Sequence, residues 1–364
     1  MAEQKSIEIE NLMKRCLFFI FLLAGCNVGP DYVRPKVETP AAYKEAKQPA
    51  EKQEAGDWKP AEPRDAEARG KWWTMFGDPL LDALIAQVDV SNQTIAAAAA
   101  QVRISAAITD QSRALEWPTI TGTVSRTESQ PSSTTGPIIG NTTSRRIINS
   151  LPINLAWEAD LWGRVRRQVE SGEDTTQASA ADLVNARLSA QATLAQDYFV
   201  LRTLDAQKQL LDATVAAYSK NMELTRNRYN AGVVARSDVA QAETQLQSTR
   251  AQALDVGVQR AQLEHAVAVL IGKPASSFSI AFAPLAAPPP PLPAIGVPAE
   301  LLERRPDVAA AERRMAAANA QIGVAKAAFF PTATLSGTYG YQTAKPPVWF
   351  TSPSLFCRSG RRWR

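Results

Sequence analysis

Arg228-Tyr229-Asn230-Ala231-Gly232-Val233 lies well inside a run from Ile153 to Lys273 that holds no proline, in a chain that has 24. A Gly behind Asn and Ala marks a turn, since glycine supplies the left-handed backbone that ends many helices. Before the turn, apolar residues recur in two rows at heptad spacing. Ala190, Leu204, Leu211 and Tyr218 form one row, and Leu194, Leu201, Val215, Met222 and Tyr229 the other, with Asp197 and Lys208 interrupting. Two helices zipped along such a seam and joined by a tight turn form an antiparallel coiled-coil hairpin. Length argues against an ordinary bundle, whose helices average about a dozen residues. A helix from about Asp160 to Tyr229 measures roughly 105 Å at 1.5 Å per residue. The return, about Ser237 to Ile271, covers only about 50 Å. The proline-rich run Ala287-Pro288-Pro289-Pro290-Pro291-Leu292-Pro293 interrupts the ascent. A further helix, about Pro306 to Phe329, adds roughly 35 Å and brings the chain back to the level where the long helix began.

Working outward, the period changes on both sides. Leu80, Leu81, Leu84, Ile85 and Val88 recur at helical spacing, and a second helix from about Ser91 to Leu115 stops before Pro118. Then Ile120, Gly122 and Val124 alternate with threonines, and Leu151, Ile153, Leu155 and Trp157 alternate with Pro152, Asn154 and Ala156. Each run has about the length of a tilted membrane strand, with an aromatic at one end; taken alone, each also fits a soluble hairpin. Leu335, Gly337, Tyr339 and Tyr341 resume the strand pattern later. Ala114-Leu115-Glu116-Trp117-Pro118-Thr119-Ile120-Thr121 aligns without gaps to Ala327-Ala328-Phe329-Phe330-Pro331-Thr332-Ala333-Thr334. A helix that ends in aromatic-Pro-Thr and turns into a strand therefore occurs twice, as an internal repeat.

The amino terminus reads as an address. Met13-Lys14-Arg15 precedes a short apolar run, Cys16 to Leu23, that is too brief to span a bilayer as a helix. It ends in Leu23-Ala24-Gly25-Cys26, which resembles the lipobox of bacterial lipoproteins, with Cys26 as the lipidated thiol. The alternative is a plain secretory signal with a chance cysteine. Asn27, rather than an aspartate, follows Cys26, which favours sorting to the outer membrane. Several acyl chains make a stable anchor where one alone binds marginally.

Composition narrows the functions. The chain has 364 residues, 45% hydrophobic and 7% aromatic, with a formal net charge of +4 spread through the long segments. Interspersed charge of both signs reads as solvated helix faces rather than a nucleic-acid footprint. Cys16, Cys26 and Cys357 have no metal-ligand spacing, and His265 stands alone, so the sequence offers no catalytic constellation and no cofactor site. The expected covalent group is the lipid on Cys26.

Several stretches together resemble the TolC-like outer-membrane factors, in particular their NodT-type lipoprotein branch. They are Cys26 to Tyr32, Trp72-Trp73 with Phe76-Gly77-Asp78-Pro79, Glu158 to Arg167, Arg228 to Gly232, and Leu301 to Val308 leading through Ala311-Glu312. The resemblance implies a fold that is mostly α with membrane β-strands: a long antiparallel coiled-coil hairpin plus barrel strands, assembled as a TolC-like trimeric α/β barrel. It implies a passive conduit for drugs or other small molecules across periplasm and outer membrane, not an enzyme. Its partners would be two further copies, a periplasmic adaptor, an inner-membrane pump of the resistance-nodulation-division type and outer-membrane lipids. The turn at Arg228, Tyr229 and Gly232 would be the tip that docks the adaptor.

The resulting organisation is a lipoprotein signal peptide at 1–25, an N-terminal extended segment and first helix at 26–90, and a first repeat at 91–271. A proline-rich equatorial linker at 272–305 and the start of a second repeat at 306–342 follow. Residues 343–364 show no strand or helix period, and Arg358 to Arg364 is basic; the expectation is an aberrant, truncated tail. That leaves three strands rather than the four the resemblance implies, and lacks a second hairpin. Three strands would bring parallel neighbours together between subunits, so the barrel is expected to be incomplete and the chain a non-functional fragment of a channel. A periplasmic adaptor lipoprotein, which also carries an alanine-rich hairpin, is the competing class.

Overall fold

The computed structural model describes residues 27–35, 70–130, 145–284, 302, 304–344 and 350–363. The signal peptide, Cys26 and the proline-rich run 287–293 lie outside them. Besides three short 3-10 helices, the α-helices and β-strands among the described residues are, in order, α1 (Pro79–Ser91), α2 (Gln93–Ala114), β1 (Thr119–Gly122), β2 (Ser125–Ser129), β3 (Arg146–Ala159), α3 (Arg164–Asn230), α4 (Arg236–Leu270), α5 (Pro306–Ala327), β4 (Ala333–Thr343) and β5 (Leu355–Trp363). The chain divides into two compact units, one of Met1–Lys36, Arg103–Ala178 and Ala311–Arg364, the other of Val37–Val102 and Ser179–Ala310.

The first unit holds the sheet, in the order β1-β3-β4-β5 with β2 also on β3, every pairing antiparallel. β3 runs its full length along β4, from Asn149 opposite Thr343 to Ala159 opposite Ala333. Beside the sheet, helices approach through small residues. A Cβ on Gly172 would stand 2.9 Å from Thr109 Oγ1, and Thr109 itself lies 3.0 Å from Thr176 Oγ1. Gln321 donates to Ser171 at 2.8 Å. The internal repeat is real in the backbone. α2 and α5 are both 22 residues long, and each ends in three successive i→i−3 bonds, at Leu115–Trp117 and Ala328–Phe330.

Residues 343–364 require a correction. Leu355–Trp363 form a strand paired with β4, from Tyr341 opposite Leu355 to Ala333 opposite Trp363. Pairing satisfies the backbone groups along the free edge of β4 whatever the side chains are. The alternation is present but concealed, because arginines fall on both of its faces. With four antiparallel neighbours the outer strands β1 and β5 run in opposite directions. The expected parallel junction between copies therefore disappears as well.

The second unit is built on the hairpin. α3 runs for 67 residues, about 100 Å, and α4 for 35. On α4 the buried residues Leu246, Thr249, Ala253, Val256 and Val267 follow a heptad row that also passes through Arg260. On α3 Leu194, Leu201 and Leu204 are buried, Leu211, Val215, Tyr218 and Met222 are half-buried, and Tyr229 is exposed. The seam is thus the expected one, loosening toward the turn. Its core is made by Leu81, Ile85 and Val88 of α1 with Leu194, Tyr198 and Leu201 of α3 and Val267 of α4. Asn92 separates α1 from α2: its Oδ1 accepts from Thr94 and Ile95 backbone N–H, capping α2. Ser91 and Asn92 also donate to the carbonyls of Ile271 and Leu270, which α4 leaves open at its end.

Candidate functional site

Strand register decides which side chains share a face, because the side-chain period is two. One face of the sheet carries Ile120, Ile153, Leu155, Trp157, Leu335, Tyr339, Tyr341 and Leu355. The other carries Thr119, Thr121, Asn154, Thr334, Ser336 and Thr338, with Thr338 donating to Asn154 at 2.9 Å. The apolar face is open: Ile120, Ile153, Leu155, Leu335, Tyr339 and Leu355 are between 39% and 67% exposed. A soluble antiparallel sheet buries such a face against a core, whereas a membrane sheet turns it to lipid. β4 and β5, of 11 and 9 residues, have the length of tilted membrane strands. No helix among the described residues is long and apolar enough to cross a membrane.

Aromatics gather where the strands meet the helices. Trp157 donates its indole N–H to the Glu116 carbonyl at 3.0 Å, and Trp162 to that of Pro331 at 2.9 Å. Trp162 also stacks on Phe330 at 4.8 Å, while Trp117, Phe329 and Trp363 are exposed. Rings of this kind, apolar in body and polar at the edge, suit the boundary of a bilayer.

The stretch Glu158 to Arg167 builds the corner between β3 and α3. Asp160 caps the helix by accepting from the N–H groups of Val165 and Arg166 at 3.2 and 3.1 Å. Glu158 pairs with Arg164 at 2.9 Å. Gly163, at φ +77, leaves room for Asn27, whose side chain a Cβ would strike. Residues 27–35 lie on this corner as a strap. Val28 N–H donates to the Trp162 carbonyl, Gly29 rests on Gly323, and Asn319 donates to the Pro30 carbonyl. Buried Arg167 binds Asp31 at 2.6 Å and Glu170 at 2.8 Å, and the Asp31 bond holds the guanidinium more firmly charged than usual. Arg34 pairs with Glu312 at 2.9 Å. Burial pushes the Tyr32 hydroxyl above its ordinary pKa, with Glu312 adding to the shift. Burial likewise raises Asp174, helped by Glu170 and opposed by Arg313.

The predicted tip residues come together as a helix stop. Gly232 has φ +74; its N–H donates to the Tyr229 carbonyl and that of Val233 to the Arg228 carbonyl, both at 2.9 Å. This pair of bonds is the Schellman arrangement, which needs a left-handed residue at the glycine position. Arg228, Tyr229 and Val233 are exposed, and Ala235 N–H donates to Asp238 at 3.2 Å to start α4. Cys26, the predicted lipid site, precedes the first described residue.

One constellation escaped the sequence reading. Asp205 on α3 is 0% exposed. Its carboxylate accepts from Arg260 of α4 at 2.6 Å, from Arg202 at 3.3 Å and from the Ala283 backbone at 3.1 Å. Arg202 donates to the Ala281 carbonyl and Arg260 to that of Ile280, while Glu264 holds Arg260 at 3.2 Å and accepts from Ile280 N–H. Arg202 also lies 4.8 Å over the Tyr198 ring, and Tyr198 donates to Asp78, the residue that caps α1. Burial, with the Asp78 bond second, raises the Tyr198 pKa. Spacing hints at Arg202–Asp205 and Arg260–Glu264, but nothing in the sequence joins residues 55 positions apart.

A sheet with an exposed apolar face, in a chain that also forms a long helical hairpin, fits a class of membrane sheet proteins with helical extensions. Comparison with known proteins places the chain within it. The family model of outer membrane efflux proteins matches residues 84–273 and 297–346, and the chain belongs to that family. Nodulation protein T of Rhizobium leguminosarum bv. trifolii is 31% identical over 324 residues, covering 88% of this chain and 65% of that protein. The toluene efflux pump outer membrane protein TtgF of Pseudomonas putida is 31% identical over 325 residues, with 87% and 65% covered. The outer-membrane channel OprN matches with a TM-score of 0.78 at 31% identity, over 93% of this chain and 73% of that one. The CmeC outer membrane channel of Campylobacter jejuni, at 19% identity and a TM-score of 0.76, shares the fold over 93% and 70%. The chain thus spans less than two thirds, 65%, of the length of these two relatives.

Proposed function

We propose that this protein is the outer-membrane channel component of a tripartite export system, a passive conduit for small molecules. The sheet carries the reading: its apolar face is open, its other face bears most of the hydroxyl and amide side chains, and its end strands run in opposite directions. Edge-to-edge pairing of β5 with β1 and β2 of the next copy would let three copies close a twelve-stranded barrel with no free edge. The exposed turn at Arg228, Tyr229 and Gly232 is then the surface offered to a periplasmic adaptor, with an inner-membrane pump beyond it. The competing adaptor class lacks support, since the family match covers about two thirds of the chain and belongs to channels.

The test is expression of this chain in a Gram-negative strain lacking its own outer-membrane factors, with drug susceptibility and planar-bilayer conductance as readouts. Restored resistance and trimer-sized conducting particles are expected; neither would appear from a non-functional fragment. We further propose that Cys26, the residue before Asn27 in the sequence, is the acylated mature amino terminus. Labelling with a palmitate analogue should mark the protein and fail on Cys26→Ser; persistent labelling of that variant would defeat the anchor.

A further inference from the structure

We infer that β5 gives the polar face of the sheet a basic lining, which makes the conduit favour anionic solutes. The inference rests on the channel reading above, because the polar face is a lumen only if the sheet closes. Register places Arg358 opposite Thr338, which faces Asn154 and, beyond it, Thr121, so one polar rung crosses all four strands. Four residues on, Arg362 stands opposite Thr334, which faces Glu158. Both arginines are exposed, and they are separated by about 13 Å along the strand. Among the residues these pairings place on the polar face, Glu158 is the one carboxylate, and Arg164 already neutralises it at 2.9 Å. Arg358 and Arg362 therefore add two positive charges per chain to this face, and six in a closed trimer. Fixed charges along a narrow conduit with low-dielectric walls focus the field and concentrate counter-ions, as arginine and lysine rings do in anion pores. Arg361 provides an internal control. It falls on the other face, opposite Leu335 and one residue pair from the strand end at Trp363, where it meets the lipid boundary instead of the lumen.

The test is the reversal potential of the reconstituted chain in planar bilayers under a tenfold potassium chloride gradient. The wild type should prefer chloride several-fold, and the preference should shrink as salt shortens the screening length. Arg358→Gln with Arg362→Gln should weaken the preference at least twofold, the paired lysine replacements should keep it, and Arg361→Gln should leave it unchanged. A cation-preferring wild type, or an unchanged reversal potential in the double glutamine variant, would overturn the inference while the channel reading stands. Absence of any conducting particle would overturn both.

Discussion

The turns that end α3 and α4 have the same backbone geometry in opposite surroundings. At the root, Gly272 has φ +66, with Gly272 N–H donating to Val269 and Lys273 N–H to Ala268, the same pair of bonds that Gly232 makes at the tip. A Cβ on Gly272 would lie 2.5 Å from the Ser91 carbonyl oxygen, whereas one on Gly232 would meet nothing within 4 Å. The root is a packed junction of helices, carbonyl caps and a buried ion network. The tip is bare backbone geometry with its side chains in solvent. Stability is therefore concentrated where Asp205 sits, and the turn at Gly232 is left to present a surface. One glycine is required by conformation and by space, the other by conformation alone.

The comparison breaks most visibly at Asp205. Asp205→Ala leaves Arg202 and Arg260 without their shared carboxylate and should destabilise the protein by about 3–5 kcal/mol. Thermal melting followed by circular dichroism checks it, and an unchanged melt would show that the network does not hold the root. Next in size is Gly272→Ala, where left-handed strain and a backbone clash add to about 2–4 kcal/mol. Gly232→Ala should cost only about 1 kcal/mol, the strain alone. Equal losses for the two glycines would erase the distinction between root and tip. In function the order should invert: Gly232→Val should lose efflux while trimers still form, and normal efflux would argue against docking at the tip.

The smallest effect lies in the other unit. Asp174 has its pKa raised by burial, so the folded state binds its proton more tightly than the unfolded chain does. Such a group costs stability at neutral pH, and the cost is relieved as pH falls toward the raised value. Asp174→Asn should therefore stabilise the protein above the ordinary carboxylate range and make little difference in acid. Melting curves across pH that show no gain at neutrality would remove the assignment.

Much of this molecule was legible from local pattern. Proline spacing bounded the hairpin, the heptad rows of α3 gave its seam, and aromatic-Pro-Thr marked both helix-to-strand turns. Gly232 was readable as a left-handed stop because a tight helix reversal admits few residues there. These features are set by backbone sterics and side-chain period within a few residues, which a sequence displays directly. The strand at Leu355–Trp363 was not readable, because its existence depends on the free edge of β4 and its alternation is concealed by arginine on both faces. Nor was Asp205, which lies off both apolar rows of α3 and shows no distant partner in the sequence until Arg260 arrives from the heptad row of α4. The strap at residues 27–35, and the clearances at Gly29 and Gly163 that admit it, likewise join segments far apart in the chain. Period and turn chemistry are local and were written in the sequence. Which edge is filled, which charge is neutralised and which glycine is packed are decided by groups brought together only on folding, so the tertiary structure alone determined them.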